Sequence, residues 1–300
     1  MASAWLGNKI ITETFGKPEV SSFSGGNIMN KYYLWENDVP YFNEEFEQEK
    51  PNLTPFIVDG GTDENGNKKK NGCVIVCPGG AYHIRADHEG DPICEFFNQY
   101  GISGFTLAYR LYPYDLNAIM GDVKRAVRWV RYHADEFGID PEKIAVLGFS
   151  AGGNLATLGA TQYDYGTDGD EIDRVSSRPN AGLLCYAVSS LTDELTHEGS
   201  REVLLRHFDE ETKKELAVKL SGEHSVKEDT PPIFMWHTAG DGCVKVENPL
   251  TMAAALSAKK IPFELHVFPD GDHGLGLASD VPGTREWAPL AADWLKRLGF

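Results

Sequence analysis

The chain has 300 residues, a length that one compact α/β domain commonly reaches, so we predict a single domain over residues 1–300. Hydrophobic residues make up 41% of it and charged residues 24%, which excludes a disordered chain and provides enough apolar material for a large core. The 28 basic and 45 acidic residues give a net charge of −17, which repels phosphate backbones and anionic lipids. We therefore expect neither a nucleic acid nor a membrane as partner.

The first 60 residues are rich in aromatic side chains but weakly periodic, and they predict an arm with a few short strands. Residues 1–30 contain neither a basic leader nor the apolar core of about 7–15 residues that marks a signal peptide. The five cysteines are odd in number and most lie in apolar runs, which indicates free thiols in a reducing compartment. A cytoplasmic location is the expectation.

Residues 59–71 carry turn chemistry throughout and separate two runs of strand composition, residues 53–58 and 73–77. Either a hairpin or a loose connection fits this pattern. From residue 72 onward, short apolar runs alternate with amphipathic ones, which predicts a doubly wound, mostly parallel sheet with helices on both faces. The predicted strands are residues 73–77, 102–109, 144–147, 183–188, 232–236 and 263–268, and the clearest predicted helices are residues 123–137, 246–259 and 286–298.

The strongest local signal is Gly148-Phe149-Ser150-Ala151-Gly152-Gly153, which follows a predicted strand and precedes a predicted helix. A serine on such a sharp strand-to-helix turn takes an uncommon backbone conformation, and glycines flank it because neighbouring chain comes too close for side chains. An ordinary glycine-rich turn is the alternative interpretation. The position between a strand and a helix favours Ser150 as a nucleophile.

A serine hydroxyl needs a base that a carboxylate orients, and behind this motif the acid precedes the histidine in the chain. Asp241 and His273 satisfy that order, each in a glycine-containing loop after a predicted strand. His237 is the main competitor for the base, but it precedes the acid. Asp270 and Asp272 are rivals for the acid, but both lie on the histidine's own loop.

Acyl transfer also requires donors for the oxyanion that develops on the carbonyl. The backbone N–H of Ala151, next to the nucleophile, is one expected donor. The others are expected from the loop Pro78-Gly79-Gly80-Ala81-Tyr82 after the first predicted parallel strand, and we assign Gly80 and Ala81. A plain turn is the alternative for this loop. Tyr82 offers an aromatic face that could form one wall of a sugar or acyl site.

Several segments together resemble the bacterial acetyl xylan esterase and feruloyl/acetyl esterase branch of the α/β-hydrolase superfamily, from about residue 50 to the end of the chain. They are residues 77–82, 87–90, 148–153, 237–241, 246–248 and 273–277. The resemblance implies an α/β-hydrolase fold and a serine esterase that deacetylates sugars or xylo-oligosaccharides without metal or organic cofactor. It also supports Ser150, Asp241, His273 and the oxyanion donors. Two departures, Ala81 for a usual glycine and Lys245 for a usual proline, affect loop geometry and substrate fit.

Relatives of this kind often carry a helical insertion over the active site, and the polar stretch at residues 190–230 looks like one. We place His197 in the acyl or sugar pocket, although a solvated charged helix explains the stretch equally well. Cys243 is interpreted as a small apolar filler. The sequence shows no cysteine and histidine spacing typical of a metal site.

These observations predict a serine carboxylesterase that removes short acyl groups from small-molecule or oligosaccharide esters. The alternatives are a general short-chain carboxylesterase, a peptidase of the prolyl-oligopeptidase type, and a binding protein of the same fold with a dead site. The peptidases usually carry a large extra domain, for which 300 residues leave no room. An intact set of serine, aspartate and histidine argues against the binding protein.

Overall fold

The computed structural model describes residues 30–62 and 64–300, so residues 1–29 of the predicted arm lie outside the described residues. One eight-stranded sheet runs through the described part in the order β1-β2-β4-β3-β5-β6-β7-β8. The strands are β1 Tyr32–Tyr33, β2 Asn52–Phe56, β3 Asn71–Cys77, β4 Ser103–Ala108, β5 Ile139–Phe149, β6 Ala181–Cys185, β7 Ile233–Thr238 and β8 Phe263–Phe268. The α-helices are α1 Asp91–Asn98, α2 Leu116–Tyr132, α3 Ser150–Thr161, α4 Glu198–Leu205, α5 Glu210–Leu220, α6 Gly222–Ser225, α7 Glu247–Ala258 and α8 Trp287–Arg297.

The six strands from β3 onward pair in parallel, which confirms the predicted doubly wound sheet. Antiparallel pairing occurs only at one edge of the described sheet, where β2 runs against β4 and β1 against β2. Since β4 lies between β2 and β3, these two strands do not form a hairpin with each other. An isolated antiparallel bridge between Thr62 and Lys68 lies in the segment that connects them. β8 forms the opposite edge and pairs only with β7.

The central strands are buried on both faces, and their alternating side chains enter two separate cores. Ile75 of β3 packs into the core below α2 and α3, while its neighbours Val74 and Val76 pack into the core below α1 and α8. This is the period-two pattern of a strand covered on both sides. The near-continuous apolar composition that predicted these strands follows from that double burial.

The helix α2 begins seven residues, about two turns, earlier than predicted and ends five residues sooner. Asp115 caps it by accepting the backbone N–H of Asn117. Phe137 kept the apolar pattern going beyond Tyr132, but it lies in the following turn, where its ring packs edge-on against Phe105. The spacing of apolar residues therefore predicts which side chains are covered up to Phe137, but the helix itself ends at Tyr132.

A buried ion pair fastens α2 to the end of β4. The guanidinium of Arg110 donates to the carboxylate of Asp122 with an Nη2–Oδ1 distance of 2.7 Å, and the two side chains are 1% and 0% exposed. Arg110 also donates to the carbonyl oxygens of Pro40 and Ala118, so its donors are satisfied without water.

Among the described helices, none is long and apolar enough to cross a bilayer.

Candidate active site

Ser150 stands at the turn between β5 and α3, at the carboxyl edge of the sheet where ligands collect in open α/β folds. Its φ of +52° lies in the left-handed region, as a strained nucleophile turn requires. A Cβ at Gly148 would lie 2.0 Å from the carbonyl oxygen of Gly152, and one at Gly152 would lie 2.1 Å from that of Cys77. Only glycine fits at either position.

Three predicted side chains form a continuous hydrogen-bonded chain beside this turn. The Oγ of Ser150 lies 2.8 Å from Nε2 of His273, and Nδ1 of His273 lies 2.7 Å from Oδ2 of Asp241. Asp241 follows β7 and His273 follows β8, so two neighbouring strand ends supply the acid and the base. The Asp241 side chain is 1% exposed, whereas His273 keeps 19% of its side-chain surface open to solvent.

The surroundings of Asp241 keep it ionised. Its Oδ1 accepts the backbone N–H groups of Cys243 and Val244, each at 2.9 Å. Burial alone would raise its pKa, but the hydrogen bonds from His237, His273 and these two N–H groups outweigh burial and hold the pKa of Asp241 well below its usual range. An ionised Asp241 requires the proton of His273 on Nδ1, which leaves Nε2 free to accept the Ser150 hydroxyl.

His237 lies against the acid rather than the nucleophile. Its side chain is 0% exposed, and its Nε2 lies 3.3 Å from Oδ2 of Asp241 and 2.8 Å from the carbonyl oxygen of Val244. His237, the competitor for the base, is thus a second imidazole that contacts the carboxylate of Asp241. The order of residues along the chain does not predict this contact. Neither Asp270 nor Asp272 bonds to His273 within the described residues, although both share its loop.

The loop after β3 brings backbone N–H groups close to Ser150. A Cβ on Gly79 would lie 3.1 Å from the Cβ of Ser150. Within the described chain, the N–H groups of Gly80 and Ala81 donate to no protein acceptor. Ala151 lies in the first turn of α3, where an N–H has no partner inside the helix. These three N–H groups, from the loop after β3 and from the first turn of α3, are the candidate oxyanion donors.

The loop achieves this shape through three successive residues with positive φ. Gly80 has φ +127°, a value at which a Cβ would meet the carbonyl oxygen of Ile84 at 2.3 Å. Ala81 has φ +52° and Tyr82 has φ +63°. The departure from the usual glycine at position 81 thus leaves a residue with a Cβ in a conformation that favours glycine.

The structure corrects the expectation that Tyr82 forms a wall of the substrate site. Its side chain is 0% exposed, and its hydroxyl donates to Oδ1 of Asn154 at 2.8 Å. The ring meets Tyr109 edge-on at 6.0 Å. The positive φ turns this side chain inward, so Tyr82 supports the loop on α3 and does not face a ligand.

The segment before α4 lies beside the catalytic edge. His197 caps α4 by accepting the N–H of Ser200 on Nδ1, and it is half-buried. Burial first, and then the electrostatic effect of His273, lower the pKa of His197. Upstream of His197, the N–H of Val188 donates to the carbonyl oxygen of Ser150 at 3.1 Å.

Cys243, two residues after Asp241, is exposed, so the interpretation of it as an apolar filler is wrong. The other four cysteines are buried free thiols. Residues 30–62 and 64–300 contain no group of three or more His, Cys, Asp or Glu side chains arranged to hold a metal ion.

Comparison with known proteins places this geometry in a family. The model of the BD-FAE family matches residues 62–256, a range that includes Ser150 and Asp241 and ends before His273. The chain belongs to the BD-FAE family. An α/β-hydrolase fold is common to its structural neighbours, in agreement with the sheet described above.

Several relatives of this BD-FAE protein have named activities. It is 37% identical to endo-1,4-beta-xylanase B of Butyrivibrio fibrisolvens over 77% of this chain and 35% of that protein. It is 29% identical to the acetylxylan esterase of Xylanibacter ruminicola over 75% of this chain and 45% of that protein. The chain thus spans less than half the length of these two curated relatives.

Among solved structures, the BD-FAE chain is similar to an acetyl ester-xyloside bifunctional hydrolase from Caldicellulosiruptor lactoaceticus. The two are 44% identical and superpose with a TM-score of 0.83 over 91% of this chain and 97% of that one. Esterase 2 of Thermogutta terrifontis is 25% identical and superposes with a TM-score of 0.71 over 91% of this chain and 95% of that one.

Proposed function

We propose that this chain is a serine carboxylesterase that removes short acyl groups, acetyl above all, from carbohydrate esters such as acetylated xylo-oligosaccharides. The observation that carries the proposal is the hydrogen-bonded chain from Asp241 through His273 to Ser150, beside unpartnered backbone N–H groups. A nucleophile, a base oriented by an acid, and oxyanion donors are the parts that acyl transfer needs.

In the proposed mechanism, His273 takes the hydroxyl proton of Ser150 on Nε2 while Oγ attacks the ester carbonyl. The oxyanion accepts the N–H groups of Gly80, Ala81 and Ala151. Asp241 holds the imidazolium in its orientation and stabilises its charge. His273 then gives the proton to the leaving alcohol, which departs and leaves an acyl-enzyme. Water attacks this intermediate with His273 again as base, and the carboxylic acid is released.

The substrate class is supported by the relatives and by charge. One relative is named an acetylxylan esterase, and a structural neighbour is described as an acetyl ester-xyloside bifunctional hydrolase. Xylo-oligosaccharide esters are neutral, and the net charge of −17 does not repel them. We assign His197 to the sugar or acyl side of the site, because it is half-buried at the start of α4, within the segment that we interpret as the helical insertion.

The domain organisation and the cellular location are proposals as well. We treat the chain as one α/β-hydrolase domain with residues 1–60 as an arm and residues 190–230 as a helical insertion, because one sheet and its two cores run through the described part. Limited proteolysis that released a stable folded fragment would contradict this. The five free thiols support a reducing compartment, the cytoplasm.

The deciding experiment measures acetate release from acetylated xylo-oligosaccharides and hydrolysis of nitrophenyl acetate by the wild type, Ser150→Ala and Ser257→Ala. Ser257 is exposed on α7 and serves as the matched serine control. We expect Ser150→Ala to lower both rates by a factor of about 10³–10⁶ and the control to leave both unchanged.

The other outcomes separate the alternatives. Hydrolysis of nitrophenyl acetate alone would keep the serine chemistry and indicate a general short-chain carboxylesterase, in line with the relative named ethyl acetate hydrolase. Full activity in Ser150→Ala would disprove the nucleophile. Cleavage of a dipeptidyl amide would revive the peptidase. No turnover of any ester, with no labelling of Ser150 by a fluorophosphonate, would favour the binding protein.

A further inference from the structure

Glu89 is a buried carboxylate that the proposed mechanism does not use. It lies in the polar run Asp87-His88-Glu89-Gly90, yet only 3% of it is exposed. Its Oε2 accepts the N–H of Gly79 at 2.8 Å, and its Oε1 accepts the hydroxyl of Tyr186 in a short hydrogen bond. Since Gly79 directly precedes the proposed donor Gly80, Glu89 holds the start of the oxyanion loop.

Tyr186 carries this connection across to the loop of the base. It follows the end of β6, is 1% exposed, and accepts the N–H of Gly276 on its hydroxyl at 2.8 Å. Its ring meets the imidazole of His273 edge-on at 5.0 Å. Burial and the charge of Glu89 raise the pKa of Tyr186, so its hydroxyl stays protonated and donates to Glu89.

A second contact joins the same two segments. The Nε2 of His88 lies 2.9 Å from the carbonyl oxygen of Gly274, the residue after His273. A Cβ on Gly276 would lie 2.9 Å from Cδ2 of His88, so the loop of the base lies directly on the segment that contains Glu89. The oxyanion loop and the base loop are therefore fastened to each other through buried groups and not only through the triad.

We propose that Glu89 and Tyr186 are positioning residues that fix the distance between the oxyanion donors and His273. This inference rests on the proposed esterase function. The chain runs from the N–H of Gly79 through the Glu89 carboxylate and the Tyr186 hydroxyl to the N–H of Gly276, with every donor matched to an acceptor. Neither side chain hydrogen-bonds to Ser150, His273 or Asp241, and Tyr186 touches His273 only through the edge-on contact of the two rings. A displacement of about 1 Å between catalytic groups can lower a rate about 100-fold, so such a tie acts on turnover.

The chemistry of the chain requires a carboxylate at position 89. A glutamine there offers one oxygen to Gly79 and presents an amide N–H to Tyr186. The hydroxyl oxygen of Tyr186 would then face two donors, one from the amide and one from Gly276, and its own proton would have no acceptor. Glu89→Gln should therefore loosen the tie while it preserves the volume of the side chain.

The test compares Tyr186→Phe and Glu89→Gln with Tyr114→Phe. Tyr114 is 3% exposed, and its hydroxyl makes two hydrogen bonds to the backbone of Asn43 and none to a triad residue, so its loss is a matched removal of a buried phenol. We expect Tyr186→Phe and Glu89→Gln to lower kcat for nitrophenyl acetate about 10–100-fold with KM nearly unchanged. Tyr114→Phe should keep the wild-type kcat.

The double variant provides the readout that a merely structural role would not move. Because both residues act through one chain of hydrogen bonds, the kcat of the double variant Glu89→Gln with Tyr186→Phe should be no lower than the kcat of the less active single variant. Circular dichroism confirms that each variant is folded at the assay temperature. Wild-type kcat in either single variant would overturn the proposal, as would multiplied effects in the double variant. Activity retained by Ser150→Ala in the same assay would instead refute the proposed function.

Discussion

Replacing Ala81 with glycine should stabilise the protein, although most changes next to an active site do the opposite. Ala81 has φ +52°, and the left-handed region costs a residue with a Cβ about 1–2 kcal/mol. Glycine avoids that cost but gives the unfolded chain extra freedom, which disfavours folding by about 0.5–1 kcal/mol. The difference predicts that Ala81→Gly is more stable than the wild type by about 0–1.5 kcal/mol.

The same replacement at Ala86 is the matched control. Ala86 is half-buried in the same loop, but its φ of −69° suits any residue, so Ala86→Gly should only lose stability. The unfolded-state terms cancel between the two variants, which should differ by about 1–2 kcal/mol in favour of Ala81→Gly. Urea unfolding followed by circular dichroism measures this difference, provided that the m-values agree. Equal destabilisation of both variants would refute the argument from φ.

Three further predictions concern packing, charge and thiols. Gly152→Ala should destabilise the protein by about 3 kcal/mol, since its methyl group would lie 2.1 Å from a carbonyl oxygen. The control Gly121→Ala in α2, where no atom lies within 4 Å of the new methyl group, should stabilise the protein by about 1 kcal/mol in the same urea titration. Asp122→Ala should cost about 3–5 kcal/mol by leaving Arg110 charged and unpaired, and a loss below about 1 kcal/mol would contradict this. Ellman's reagent should label Cys243 alone in the folded protein and all five thiols in guanidinium. Partial burial and the neighbouring carboxylate of Asp241 raise the pKa of Cys243, so the rate of labelling should increase as the pH rises above 8. A labelling rate that does not change with pH would contradict this.

The features that the sequence predicts well are those with a local cause. Gly148 and Gly152 flank Ser150 because backbone oxygens lie only 2.0 and 2.1 Å from where a Cβ would stand, and this requirement is visible in the sequence as glycine. The central parallel strands are recognisable because burial on both faces removes polar residues from them, which is not true of the edge strand β8. The chain order of acid and base sufficed to choose Asp241 and His273 for the positions that the structure brings together.

The features that the sequence does not predict depend on where a side chain points or on a partner that lies far away along the chain. Tyr82 was placed correctly along the chain, but its positive φ turns the ring inward to Asn154, and no pattern reports φ. Glu89 lies in a polar run typical of a solvated loop, and its buried carboxylate is satisfied by the N–H of Gly79 and by the hydroxyl of Tyr186, 97 positions away. His237 was weighed as a base because its position along the chain does not reveal that its imidazole faces the acid.

The strands that carry the two halves of the site differ in burial. β3 and β5, which carry the oxyanion loop and Ser150, lie in the middle of the sheet, and β3 and the second half of β5 are almost fully buried. β8, which leads to His273, lies at the edge, and none of its six residues is buried. Strands with so few buried contacts open first, in local fluctuations that leave the core intact. Heating should therefore separate the base from the nucleophile and end hydrolysis at temperatures where the rest of the domain is still folded.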